Sequence, residues 1–120
     1  MRAVVCNTFD GINALTCVDD APNPPMVDGG VRIRVAAAGI NFADTLMCKG
    51  QYQVKPPFPF SPGLEVAGEV LEVAPGVTRV KPGDRVMATV HYGGYASEAV
   101  TDEATVYTIP DNLDFVSAAA

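Results

Sequence analysis

Val31-Arg32-Ile33-Arg34-Val35 places three branched apolar side chains on one side of an extended backbone and two guanidinium groups on the other. A period of two is the pattern of a β-strand with one dry face and one wet face. Upstream, residues 1–9 and 15–18 read as a strand and its neighbour, with a turn near Asp10-Gly11. A loop of three prolines and two glycines fills 21–30. Downstream, 65–74, 85–90, 95–100 and 105–109 are further strands. The breaks between them are Pro75-Gly76, Lys81-Pro82-Gly83-Asp84 and Gly93-Gly94, all turn chemistry. Ten prolines and eleven glycines at such intervals suit many short strands joined by tight turns, the signature of a barrel or sandwich.

Two short helices interrupt this pattern. In Asn41-Phe42-Ala43-Asp44-Thr45-Leu46-Met47, an N-cap residue is followed three positions later by an acid, a variant of the capping box. A second helix starts at Asp114 and has one or two turns before residue 120, which reads as a cut edge. Pro56-Pro57-Phe58-Pro59-Phe60-Ser61-Pro62 holds the P-x-x-P spacing of polyproline ligands, but reads better as a stiff internal arm.

The chain of 120 residues is one domain's worth, enough for a core without disulfide staples. Residues 1–60 balance five Lys/Arg with five Asp, so the net charge of −6 arises entirely from 61–120. An acidic chain with no basic stripe disfavours nucleic acid. No apolar run approaches the ~20 residues of a membrane span, and Met1–Cys6 does not resemble a signal peptide. The expected location is therefore cytoplasmic. Cys6, Cys17 and Cys48 lack C-x-x-C spacing and read as reduced thiols behaving as small apolar side chains.

Catalytic machinery is sparse. His91 is the only histidine, which excludes a two-His metal site; it reads as a strand-end residue. There is no G-x-S-x-G elbow, no G-x-G-x-x-G and no P-loop. Two segments are more telling: Ala38-Gly39-Ile40-Asn41-Phe42-Ala43-Asp44 and Pro62-Gly63-Leu64-Glu65-Val66-Ala67-Gly68. With Gly50-Gln51-Tyr52, Val80-Lys81-Pro82-Gly83-Asp84-Arg85-Val86 and Gly93-Gly94-Tyr95-Ala96, the chain resembles the N-terminal, GroES-like catalytic domain of the medium-chain dehydrogenase/reductase superfamily. Within it, the resemblance is to zinc-independent quinone oxidoreductases of the zeta-crystallin type, with vesicle amine transport protein homologues also close.

The resemblance implies a mainly β, partly open GroES-like barrel spanning 1–120, a substrate-side domain, with a nucleotide-binding Rossmann domain expected after 120. In the zinc-bearing relatives a Cys follows the A-G-[IV] triplet and a His follows Pro-Gly. Here those positions are Asn41 and Leu64, which supply neither thiolate nor imidazole, so no zinc is expected. Without a Lewis acid the carbonyl acceptor must already be electron-poor, as in a quinone or an enone. The implied function is NADPH-dependent quinone reduction by zinc-free hydride transfer, as a homodimer through the nucleotide domain. Alternatives are an enone or enoyl-thioester reductase, and a non-catalytic binding module.

By the same resemblance Asn41 lies near the nicotinamide, its rival role being a helix N-cap. Tyr52 lines the substrate cleft as a hydrogen-bond donor, its rival role being a partly buried structural aromatic, and the proton comes from Tyr52 or solvent. Asp44 orients its neighbours in the site, or only favours the positive end of the helix. Phe42, Met47, Phe58 and Phe60 are candidates for an apolar wall against a flat ring, and Glu65 for a structural ion pair.

Overall fold

The computed structural model describes residues 1–120. Its seven strands are β1 (Ala3–Val5), β2 (Thr16–Val18), β3 (Gly30–Ala38), β4 (Glu65–Val73), β5 (Arg85–Thr89), β6 (Glu98–Asp102) and β7 (Val106–Thr108). Helix α1 covers Phe42–Cys48 and α2 covers Phe115–Ala118. A five-stranded antiparallel sheet runs β6-β3-β4-β5-β7, and β1 and β2 form a second ribbon. The large sheet curls into a half-barrel, which decides between the barrel and the sandwich that the strand spacing allows and agrees with the mainly β, partly open barrel that the resemblance implies.

β3 lies inside that curl, between β6 and β4, and its alternation explains why. Val31 and Ile33 are fully buried and meet Val66, Val70, Val86 and Val106 in the main apolar cluster. The ladder from β3 to β4 jumps twice, between Arg32 and Ile33 and between Val35 and Ala37. Such bulges add local twist and let a flat sheet roll up. Gly68, opposite Val35, allows the roll: a Cβ there would collide with the Arg34 carbonyl oxygen.

Two strand expectations need correction. The segment 1–9 is a strand only over Ala3–Val5, after which Cys6 pairs with Phe60 of the proline-rich arm through N–H···O bonds of 2.7 and 3.1 Å. The expected strand 95–100 begins at Glu98, because 95–97 serves the other sheet: the Val4 N–H donates to the Tyr95 carbonyl at 2.8 Å and Ser97 N–H to the Arg2 carbonyl at 2.9 Å. A chain that changes sheets in this way makes a barrel corner.

Arg32 is not the freely solvated side chain that its alternation suggests. Its guanidinium reaches Glu72 at 3.1 Å, Glu98 at 3.3 Å and the Pro24 carbonyl at 2.9 Å. Of the three free cysteines Cys6 and Cys48 are buried, but Cys17 is exposed and fills no core position. No helix is long and apolar enough to cross a membrane.

Candidate active site

The site grows from the turn between β3 and α1. Gly39 N–H donates to the Glu65 carbonyl at 3.0 Å, so the end of β3 stays with the start of β4. Asn41 follows as the N-cap of α1, with the Asn41 carbonyl accepting from Asp44 N–H at 3.0 Å and the Asp44 Oδ2 accepting from Asn41 N–H at 2.9 Å.

Asp44 is the one buried charged residue, only 3% exposed. Burying a carboxylate is costly unless hydrogen bonds replace its water. Here they do: besides Asn41 N–H, it accepts Gly63 N–H on Oδ1 at 2.9 Å and the Tyr95 hydroxyl on Oδ2 at 2.6 Å. Gly63 holds φ +103°, a left-handed conformation that leaves its N–H aimed at Asp44, and it lies against Gly94 where a Cβ would collide. Burial pushes the Tyr95 phenol well above its ordinary range, and the hydrogen bond and negative charge of Asp44 add to that. Asp44 thus ties helix, arm and barrel corner together from beneath the site.

Glu65 makes no ion pair. Its Oε1 instead accepts from Asn41 Nδ2 at 3.1 Å, which fixes which way the amide faces and leaves one of its two N–H groups for another partner. Beside this pair opens a cleft of about 320 Å³, lined by Asn41, Tyr52, Leu64, Glu65, Thr89 and His91, with Gln53, Val54 and Val90 completing it. It sits at the end of the β4–β5 ladder, where Glu65 pairs with Thr89 and Val90 N–H donates to the Leu64 carbonyl at 2.9 Å.

Of the residues singled out in the sequence, Asn41 and Tyr52 line the cleft and Asp44 lies behind it. The four candidates for an apolar wall do not form one. Phe42 is 77% exposed at the start of α1, and Phe58 packs tilted against Phe9, with ring centroids 4.6 Å apart, and stacks on Phe60 at 5.8 Å, away from the cleft lining. Met47 and Phe60 are core, packed with Cys6 and Cys48. Tyr52, Val54 and Leu64 rest on that cluster and also line the cleft, so Met47 and Phe60 support the wall from one layer below. The sequence marks His91 only as a strand-end residue and Tyr95 only as part of the Gly93-Gly94-Tyr95-Ala96 motif, and singles out neither for the site. No three His, Cys, Asp or Glu side chains converge to hold a metal ion, and Leu64, where the zinc-bearing relatives would place histidine, faces the cleft as hydrocarbon.

Residues 27–111 match the family described as the alcohol dehydrogenase GroES-like domain. The chain belongs to that family. This GroES-like domain is 44% identical over 118 residues to quinone oxidoreductase-like protein 2 of Rattus norvegicus, covering 98% of this chain and 33% of the relative. It is 41% identical over 120 residues to the synaptic vesicle membrane protein VAT-1 homolog-like of Homo sapiens, covering 100% of this chain and 28% of that one. The crystal structure of Escherichia coli quinone oxidoreductase complexed with NADPH superposes with TM-score 0.90 at 30% identity, over 100% of this chain and 36% of that chain. The GroES-like domain thus spans about a third of the length of the relatives it matches. With these relatives the domain falls in the medium-chain dehydrogenase/reductase superfamily, and two of the three carry the name quinone oxidoreductase or quinone oxidoreductase-like protein.

Proposed function

We propose that the chain is the substrate-side domain of a cytoplasmic, NADPH-dependent oxidoreductase, paired with a nucleotide-binding domain in a homodimer, that reduces quinones without zinc. The observation that carries this is the cleft lined by both Asn41, whose amide is oriented by Glu65, and Tyr52. At about 320 Å³ the cleft is at the small end of ligand sites, suited to one flat ring. It fits the reactive end of a dinucleotide but not its phosphates, since no Lys or Arg lines it. Asn41 is the residue that would meet the nicotinamide ring. NADPH, when bound, supplies the hydride.

The chain's own residues then do four things. Tyr52, Val54 and Leu64 present a surface on which a flat ring can lie. Glu65 holds one N–H of Asn41, so the other is set in advance and needs no reorganisation as charge develops. Tyr52 donates its hydroxyl to the same developing oxyanion. Asp44 keeps Asn41 and the Gly63 turn in register beneath them.

The test is steady-state kinetics of the complete protein with NADPH and 1,4-naphthoquinone. Tyr52→Phe is expected to lower kcat roughly 10-fold or more, the scale of a lost oxyanion donor or somewhat below it. Unchanged kcat and KM remove Tyr52 from the mechanism. The likeness to the vesicle protein homologue, at 41% identity, favours a second reading as an interaction module. Failure of the complete protein to bind NADPH selects it.

A further inference from the structure

We propose that His91 is the proton donor of the cleft, the group that hydrogen-bonds the substrate oxygen and protonates it once hydride has been taken up. This rests on the reduction reading above and adds to it the source of the second hydrogen. The sequence gives His91 no motif, and it lies outside the turn that carries Asn41 and outside the Pro62–Gly68 segment that carries Leu64. The fold nevertheless brings it to the cleft wall, two residues past Thr89, whose strand position pairs with Glu65. It makes no hydrogen bond within the chain and is exposed on its outer side, so the imidazole is free to turn to a ligand and to exchange protons with water. The other titratable side chains lining the cleft are Glu65 of β4 and Tyr52 of the segment after α1, and the remaining lining residues are neutral. Imidazole is the side chain that gains and loses a proton near neutrality, which is what a donor working at physiological pH needs.

The bookkeeping of the step is simple. Hydride adds two electrons and one hydrogen to the quinone and leaves a hydroquinone anion. The N–H bond of the His91 imidazolium breaks, an O–H bond forms on that anion, and neutral imidazole recovers its proton from solvent. The nicotinamide cofactor is oxidised and the quinone reduced by the same two electrons.

The sign of the pH dependence follows. The protonated imidazole is the active form, so kcat is full at acid pH and falls as pH rises through the imidazole midpoint. In the complete protein, His91→Gln is expected to lower kcat at pH 6 by roughly 100-fold, the lower end of general-acid effects, with little change in KM. As pH rises and the donor proton is lost, the two should converge. A drop of equal size at every pH is what a merely structural role gives, and it overturns the proposal, as does an unchanged kcat. A second readout needs no turnover. His91 is the only histidine of residues 1–120, and its imidazole proton resonance is assigned by its loss in His91→Gln. Saturation with 4-nitrophenolate, a planar oxyanion, is expected to shift its titration midpoint upward. A midpoint that ignores the anion overturns the proposal. Should the complete protein reduce no quinone while the midpoint still moves, the reduction reading fails and the donor role with it, leaving His91 as the cleft's anion partner.

Discussion

Replacing Asp44 by alanine leaves Gly63 N–H, Asn41 N–H and the Tyr95 hydroxyl without their shared acceptor. A buried donor left unpaired costs about 1–3 kcal/mol, so Asp44→Ala should lower the unfolding free energy by about 3 kcal/mol in a urea titration. Tyr95→Phe removes one donor and is expected to cost about 1.5 kcal/mol, the lower bound for a bond to a charged group. Tyr95 also sets an alkaline limit. Its phenol is held protonated in the fold by burial and by Asp44, so the native state keeps a proton that the unfolded chain gives up. That contribution is whole below pH ~10, the ordinary phenol value, and is lost as pH rises beyond it. Tyr95→Phe should flatten this alkaline loss when urea midpoints are compared from pH 8 to 11. Among the thiols, burial, with Cys6 adding to it, pushes Cys48 up to about 11. Cys17 alone is exposed, so a thiol reagent at pH 8 should titrate one of the three cysteines in the native protein and all three after denaturation. Asp44 was legible in the sequence as an acid three places after an N-cap. Tyr95 was not, because it lies 51 residues away and only the barrel corner brings it there.

At the scale of elements, β3 and α1 were the most readable parts, since each carries its reason locally. The alternation of Val31, Ile33 and Val35 survives in the fold, and α1 begins where Asn41 and Asp44 reciprocate. The bulges were hidden. They depend on which residue of β4 faces which residue of β3, and a cross-strand register is not written in either strand alone. Gly68→Ala tests this directly. Its new methyl would strike the Arg34 carbonyl, and overpacking of this kind costs typically 1–3 kcal/mol, readable as a lower thermal midpoint. Helix α2, four residues long, is too short to persist alone. Arg85 of β5 holds it, donating to the Pro110 carbonyl at 3.0 Å and the Leu113 carbonyl at 2.7 Å while its guanidinium stacks over Phe115. An ammonium reproduces neither the fork nor the stacking. Arg85→Lys is therefore expected to speed amide exchange at Ala118 and Ala119 while leaving Val31 and Ile33 protected; equal protection in both variants would show that apolar packing alone seats the helix.

For the whole molecule, the curled sheet builds one cleft with no Lys or Arg in its lining, and the proposed function gives the cofactor's phosphates to a second domain. Residues 1–120 alone are accordingly expected to show no NADPH-dependent reduction of 1,4-naphthoquinone, whereas the complete protein should; turnover by the isolated chain would overturn the two-domain reading. The sequence by itself determined the strand class and the capped helix, because each is a matter of residue type at short range, and its motifs carried the resemblance that implies the Asn41 and Leu64 replacements and the candidacy of Tyr52. Only the tertiary structure decided that Glu65 orients Asn41, that Met47 and Phe60 stand behind the cleft wall and not in it, that Arg32 is bound on three sides, and that His91 reaches the site. The physical reason is the same in each case. A side chain's chemistry is its own, but its partners and its exposure belong to segments tens of residues away, and they are set by the register and curvature with which β3, β4 and β5 close on one another.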